Sequence, residues 1–236
     1  MRTLLLILFV AYSFYSCTGH ATKKESIPVA AIKNIDPCMM INEGQTLLKE
    51  GDLVVRLNQD PTSQFIKNLN RHDRKYSHAG IVLYEKGYPI IYHIVNGDEQ
   101  PDGQLRKDSL SKFCNPRKNL AYGIFRYEME TNEIKYLKEL IHKWYAKGVR
   151  FDLKFDLKTD NRMYCSEMIS KVLGRATGKR ILIETTKLTH KEAGLFSVYM
   201  HLPFTYASEL QVVPIDNLYT NPFCHLIKEY NYKVHK

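Results

Sequence analysis

Two apolar runs divided by a short polar turn, SHAGIVLYEKGYPIIYHIV over residues 77–95, constrain the fold of this chain more than any other segment. Lys86 and Gly87 supply the turn, and β-branched and aromatic residues fill both arms, so the stretch predicts a β-hairpin. Antiparallel partners are predicted over residues 53–57 (LVVRL) and 120–128 (LAYGIFRYE). Helices are expected between these strands. Pro61 and Ser63 open a pattern with Phe65, Ile66 and Leu69 at helical spacing. Thr131 and Glu133 open a longer one that sets Ile134, Leu137, Ile141 and Trp144 on one face up to Gly148. A third, shorter helix begins at or next to Cys165 and ends at Gly174. The expected class is α+β, a mainly antiparallel sheet packed against helices. From Arg175 onward Gly, Pro and short apolar runs mix, which reads as strand and loop.

With 236 residues the chain is long enough for one well-packed domain. Its net charge of +9 is scattered among acids, as in KNLNRHDRK, and no basic tract with interleaved aromatics stands out, so a nucleic-acid partner is not expected.

The first residues read MRTLLLILFVAYSFYSC: one Arg, an apolar run over residues 4–10, then small and aromatic residues. Such a run is too short to span a bilayer and is expected to be a secretory signal peptide. Cys17 directly follows Ser16, an arrangement that resembles a bacterial lipoprotein signal whose cysteine is lipidated. The expected organisation is a signal peptide over residues 1–16, a tether over 17–40 beginning at lipidated Cys17, and a catalytic domain over 41–236. Ordinary cleavage after Ala21, releasing a soluble periplasmic or secreted protein, is the alternative. Cys38, Cys114, Cys165 and Cys224 are too few for a disulfide framework, though an oxidising compartment permits one bridge among Cys38, Cys114 and Cys224.

Cysteine catalysis needs a thiolate, a base to exchange its proton, and a group that orients the base. Cys165 stands at a helix start, where unpaired backbone N–H groups and the helix dipole favour a negative charge and are expected to lower the thiol's pKa. His78 begins one hairpin strand and His93 lies on the next, so a tight hairpin brings the two rings together. Each also has a bland reading: Cys165 as core packing, the histidines as ordinary polar residues near strand ends. His72, His142, His190 and His201 show no metal-ligand spacing, and no CxxC pair or phosphate-binding glycine loop occurs, so no metal or cofactor is expected.

EGDLVVRL, YSHAGIVL, FDLKFDLKTDNRMYCSEMI and YASELQVVP, taken in order, resemble successive signatures of the YaeF/YiiX-like permuted papain-like amidases, relatives of the NlpC-type cell-wall peptidases. The resemblance spans roughly residues 51–214. It implies a circularly permuted papain-like fold, because the histidine strand precedes the cysteine helix. It further implies Cys165 as nucleophile, His78 as base and His93 as the third member, where many relatives carry Glu. On that footing His93→Glu is expected to retain substantial activity. Tyr164 is a candidate to line the cleft or donate to an oxyanion. Glu167 is a further substrate or oxyanion candidate, but a carboxylate just after the helix start reads first as structural, or as a hydrogen-bond partner for a nearby loop. The implied function is that of an exported cysteine amidase or peptidase, cleaving an amide in an envelope substrate such as a peptidoglycan peptide or N-acyl compound. The expected membrane association runs through the Cys17 lipid anchor. An acyltransferase or thioesterase acting on lipid acyl groups is one alternative, and a non-catalytic envelope-ligand binding module is another.

Overall fold

A computed structural model describes residues 36–95 and 103–232. The signal segment, Cys17 and nearly all of the expected tether lie outside the described residues. Chain order begins with helix α1 (Pro37–Leu47), strand β1 (Leu53–Asn58), helix α2 (Pro61–Asn68) and the hairpin β2 (His78–Glu85) and β3 (Tyr88–Ile94). The short strand β4 (Leu105–Asp108), helix α3 (Leu110–Phe113), strand β5 (Asn119–Tyr127) and helices α4 (Thr131–Ala146) and α5 (Cys165–Ala176) follow. The remainder is β6 (Thr186–Lys187), α6 (His190–Met200), α7 (Phe204–Ala207), β7 (Gln211–Val212), α8 (Ile215–Tyr219) and β8 (Cys224–Asn231). Six strands form one antiparallel sheet in the order β4-β3-β2-β1-β5-β8, and β6 pairs with β7 separately.

Period-two alternation divides the sheet between two cores. Leu53, Val55, Ala79, Ile81, Tyr92 and Ile94 face a large core completed by Leu137 and Ile141 of α4 and by Met168, Ile169 and Val172 of α5. Val54, Val82, Ile91, Tyr122 and Ile124 face a smaller core with Met40 and Ile41 of α1 and Leu110 and Phe113 of α3. Fully burying one such aliphatic side chain contributes about 1.5–3 kcal/mol, so both helix layers are held chiefly by apolar burial.

Several elements depart from expectation. Helix α1 starts at Pro37, capped by the Asp36 carboxylate on the Cys38 N–H, and buries Met40 and Ile41. The folded part therefore begins ahead of the expected tether boundary at residue 40. Residues 120–128 pair with β1 and β8 rather than with the hairpin. Helix α5 runs two residues past Gly174 to Ala176. The mixed C-terminal third holds an 11-residue helix, α6, and the edge strand β8.

The hairpin turn matches its sequence. Lys86 has φ 52° and Gly87 φ 85°, left-handed conformations at both central positions that suit a two-residue turn matching the strands' twist. Gly80 allows β3 to approach closely. A Cβ there would stand 2.5 Å from Ile91 Cγ2 and 3.2 Å from His93 Cβ. Gly80→Ala is expected to destabilise the protein by about 1–3 kcal/mol through overpacking and to displace His93. Denaturant unfolding measures the first effect and turnover by the folded fraction the second.

Candidate active site

Three adjacent strands build one hydrogen-bonded chain of side chains. Arg56 pairs with His78 across β1 and β2, His93 with Arg106 across β3 and β4, and Ile91 with Asp108. His78 Nε2 lies 3.0 Å from His93 Nδ1, and His93 Nε2 lies 3.0 Å from the Asp108 carboxylate. All three side chains are buried, and Phe113 packs against both rings with centroids 5.5 and 4.8 Å away.

The chain fixes its own protons. An ionised carboxylate only accepts, so His93 donates from Nε2, and Nδ1 of its neutral ring then accepts from His78 Nε2. That leaves Nδ1 of His78 as a lone pair, the form a general base needs. Burial alone would raise the Asp108 carboxyl. Hydrogen bonds from His93, Lys112 and Arg106 outweigh it and hold the group well below the usual carboxylate range. Burial, aided by the Arg56 charge, lowers His93 to about 4 against the pull of Asp108. Burial, Arg56 and His93 likewise hold His78 well below the ordinary histidine value, so both rings are neutral at pH 7.

Cys165 opens α5 and borders the same cleft as His78, a cavity of about 640 Å³. The backbone N–H groups of Ala79, the residue after His78, and of Ser166 favour its thiolate. The helix start is clamped from beside it. The Val213 N–H donates to the Tyr164 hydroxyl at 2.9 Å, and the Ser166 hydroxyl donates to the Val213 carbonyl at 2.7 Å. The approach to His78 is fixed as well. Asp216 accepts the backbone N–H groups of Arg71, His72 and Asp73, while Asn70 donates to the Tyr76 carbonyl at 2.9 Å.

The thiol departs from the sequence expectation. Burial pushes Cys165 up to about 11, outweighing the N–H groups of Ala79 and Ser166 and the Arg56 charge. Helix-start position was legible in the sequence, but enclosure by neighbouring segments was not. Thiol and imidazole therefore rest neutral. Iodoacetamide is expected to label Cys165 more slowly than exposed Cys38 at pH 8 and to gain on it as pH approaches 11. Peptide mapping of the labelled protein reads both sites, and faster labelling of Cys165 at pH 6 would contradict the neutral pair.

The two further candidates separate. Tyr164 lines the cleft, its hydroxyl accepting from Val213. Glu167 does not border the cleft. Its carboxylate accepts the Tyr164 N–H at 3.2 Å and sits 2.7 Å from Lys171 Nζ, which makes it a cap for α5 rather than a substrate-side group. Asp108 and Arg56 were missed in the sequence. A four-residue edge strand, LRKD, carries no apolar alternation, and a single Arg in a strand gives no signal.

The pattern of the permuted papain-like amidase enzymes, YaeF/YiiX, C92 family, matches residues 47–224. The chain belongs to that family. Family membership makes it a papain-like cysteine amidase or peptidase in class. The permuted papain-like fold also appears in the solved structure titled metalloprotein yiiX from Escherichia coli O157:H7. That structure shares 20% identity, a TM-score of 0.63 and coverage of 77% of this chain and 97% of its own. No curated protein sequence matches the chain. Among the described residues no group of three or more His, Cys, Asp or Glu side chains is arranged to hold a metal ion.

Proposed function

We propose that this member of the permuted papain-like amidases is an exported cysteine hydrolase that cleaves an amide bond through Cys165 and His78. The observation that carries the reading is the Asp108–His93–His78 chain, which ends on a free imidazole lone pair in the cleft that Cys165 borders. As the Cys165 sulfur attacks the carbonyl carbon, its proton passes to His78 Nδ1 and the carbonyl oxygen becomes an oxyanion. The backbone N–H of Cys165, at the start of α5, is the donor this reading assigns to that oxygen. The imidazolium then protonates the departing nitrogen, the C–N bond breaks, and a thioester remains on Cys165. Water deprotonated by His78 releases the acid and restores the thiol.

Neutral resting groups set the pH dependence. His78 acts as base only when unprotonated, and its pKa lies well below the ordinary value, so the acid limb of kcat/KM falls well below pH 6.5. The apolar wall of Ile66, Leu69, Phe155, Phe196 and Met200 favours an acyl group as the retained part of the substrate. It equally supports a second reading, in which a hydroxyl or amine acceptor replaces water and the enzyme transfers the acyl group. Hydrolysis of an N-acyl amide by the wild type and its loss on alkylation of Cys165 tests the main reading.

Export rests on the segment ending at Cys17, which would place the enzyme at an envelope membrane with an envelope amide as substrate. Expressed in a Gram-negative host, the protein is expected in the membrane fraction and the Cys17→Ser variant outside it. A wild type that is already soluble and begins after Ala21 would contradict the lipid anchor.

A further inference from the structure

Arg56 is a cation enclosed beside the reacting groups, with the Asp108 charge acting on it only from beyond ion-pair distance among the described residues. Its guanidinium borders the cleft next to Cys165 and His78 and lies over the Phe113 ring at 4.4 Å, with Nη1 donating to the Phe113 carbonyl. Among the described residues no carboxylate stands in ion-pair distance of it, and its Nε is shut from water with no partner. Two more unpartnered buried polar atoms belong to residues that line the same cleft. Asn58 Oδ1 lies two residues further along β1, and Ser77 Oγ directly precedes His78. Buried polar atoms are normally paired, and a buried cation without a contacting anion is costly, so three such atoms on neighbouring cleft-lining residues of β1 and the start of β2 mark a place that a ligand completes.

The same cleft is also lined by the apolar side chains of Ile66, Leu69, Phe155, Phe196 and Met200. A cavity of about 640 Å³ suits a small amphiphile. We propose that Arg56, with Asn58 and Ser77, forms a carboxylate subsite, so that the substrate class is an N-acyl amino acid with its acyl chain on the apolar wall. The proposal rests on the amidase reading above and narrows it. An α-carboxylate sits one carbon from the scissile nitrogen, which suits a cation close to the nucleophile. The planar guanidinium fork matches a carboxylate, the Ser77 hydroxyl can donate to it, and Asn58 Oδ1 can accept the substrate's amide N–H. The Arg56 charge also favours the Cys165 thiolate, so turnover alone would not separate the two roles.

Binding to the full-length Cys165→Ala variant separates them, because no thiolate forms there. Calorimetry with N-octanoylglycine and its uncharged analogue N-octanoylglycinamide is expected to show the carboxylate bound roughly tenfold more tightly. Adding Arg56→Met should abolish that preference while N-octanoylglycinamide still binds, and Arg56→Lys should restore part of it. Equal affinity for the two ligands, no binding of either, or a preference that survives Arg56→Met overturns the subsite. Those results leave the hydrolytic reading standing, since that reading fails only if the wild type turns over no amide or does so without Cys165.

Discussion

Cys165→Ala is expected to lower amide turnover by about 10⁴-fold or more, and His78→Ala to fall nearly as far, because nucleophile and base act as a unit. The double variant should be little worse than either single one. This non-additivity distinguishes a shared step from two independent contributions. Steady-state kinetics with an N-acyl amide measures all three. Both residues border one cleft, so neither loss needs a structural collapse. A His78→Ala variant within tenfold of wild type would remove the imidazole from the mechanism.

Asp108→Asn is the second large effect, expected at about 10³-fold in kcat/KM, by analogy with an orienting carboxylate whose amide replacement imposes the wrong tautomer. An amide can turn its NH₂ toward His93 Nε2. That nitrogen would then have to accept, Nδ1 of His93 would donate to His78, and His78 would carry its proton on the nitrogen needed as base. Asp108→Ala imposes no such reversal and should cost less than Asp108→Asn. A merely structural Asp108 predicts the opposite order, since alanine also removes the packing around Arg106 and Lys112. Circular dichroism and kcat/KM on the two variants decide between them.

Asp108 also revises the expected tolerance of His93→Glu. The family resemblance implies Glu at the place of His93 in many relatives, which makes glutamate a natural replacement. With Asp108 3.0 Å from the ring, a glutamate would be buried against a second acid, and one of the two would have to bind a proton. His93→Glu is therefore expected to lose activity at pH 7.

Legibility in the sequence followed the strength of local patterns. The hairpin could be read because Lys86 and Gly87 satisfy a turn and both arms are apolar, and α4 because its buried residues recur at helical spacing. Cys165, His78 and His93 followed from the hairpin and a helix start. The rest depended on long-range contacts. Helix α6 buries only Ala193 and Phe196, so it writes a faint stripe. Strand β8 is an edge strand whose partly and fully exposed residues alternate weakly. Asp108 gains its place from register against β3, and Arg56 its meaning from having no carboxylate in ion-pair contact among the described residues. The Cys165 thiol is raised by surroundings contributed from several separate segments, which no helix-terminus argument can weigh.

The central claim, that Cys165 carries the acyl group, is tested most directly by intact-protein mass spectrometry during turnover of an activated octanoyl ester. The account predicts an added octanoyl mass that maps to Cys165, is released by hydroxylamine as expected for a thioester, and is missing from the Cys165→Ala variant. Turnover that continues in Cys165→Ala, or an adduct that maps to another residue, would contradict it.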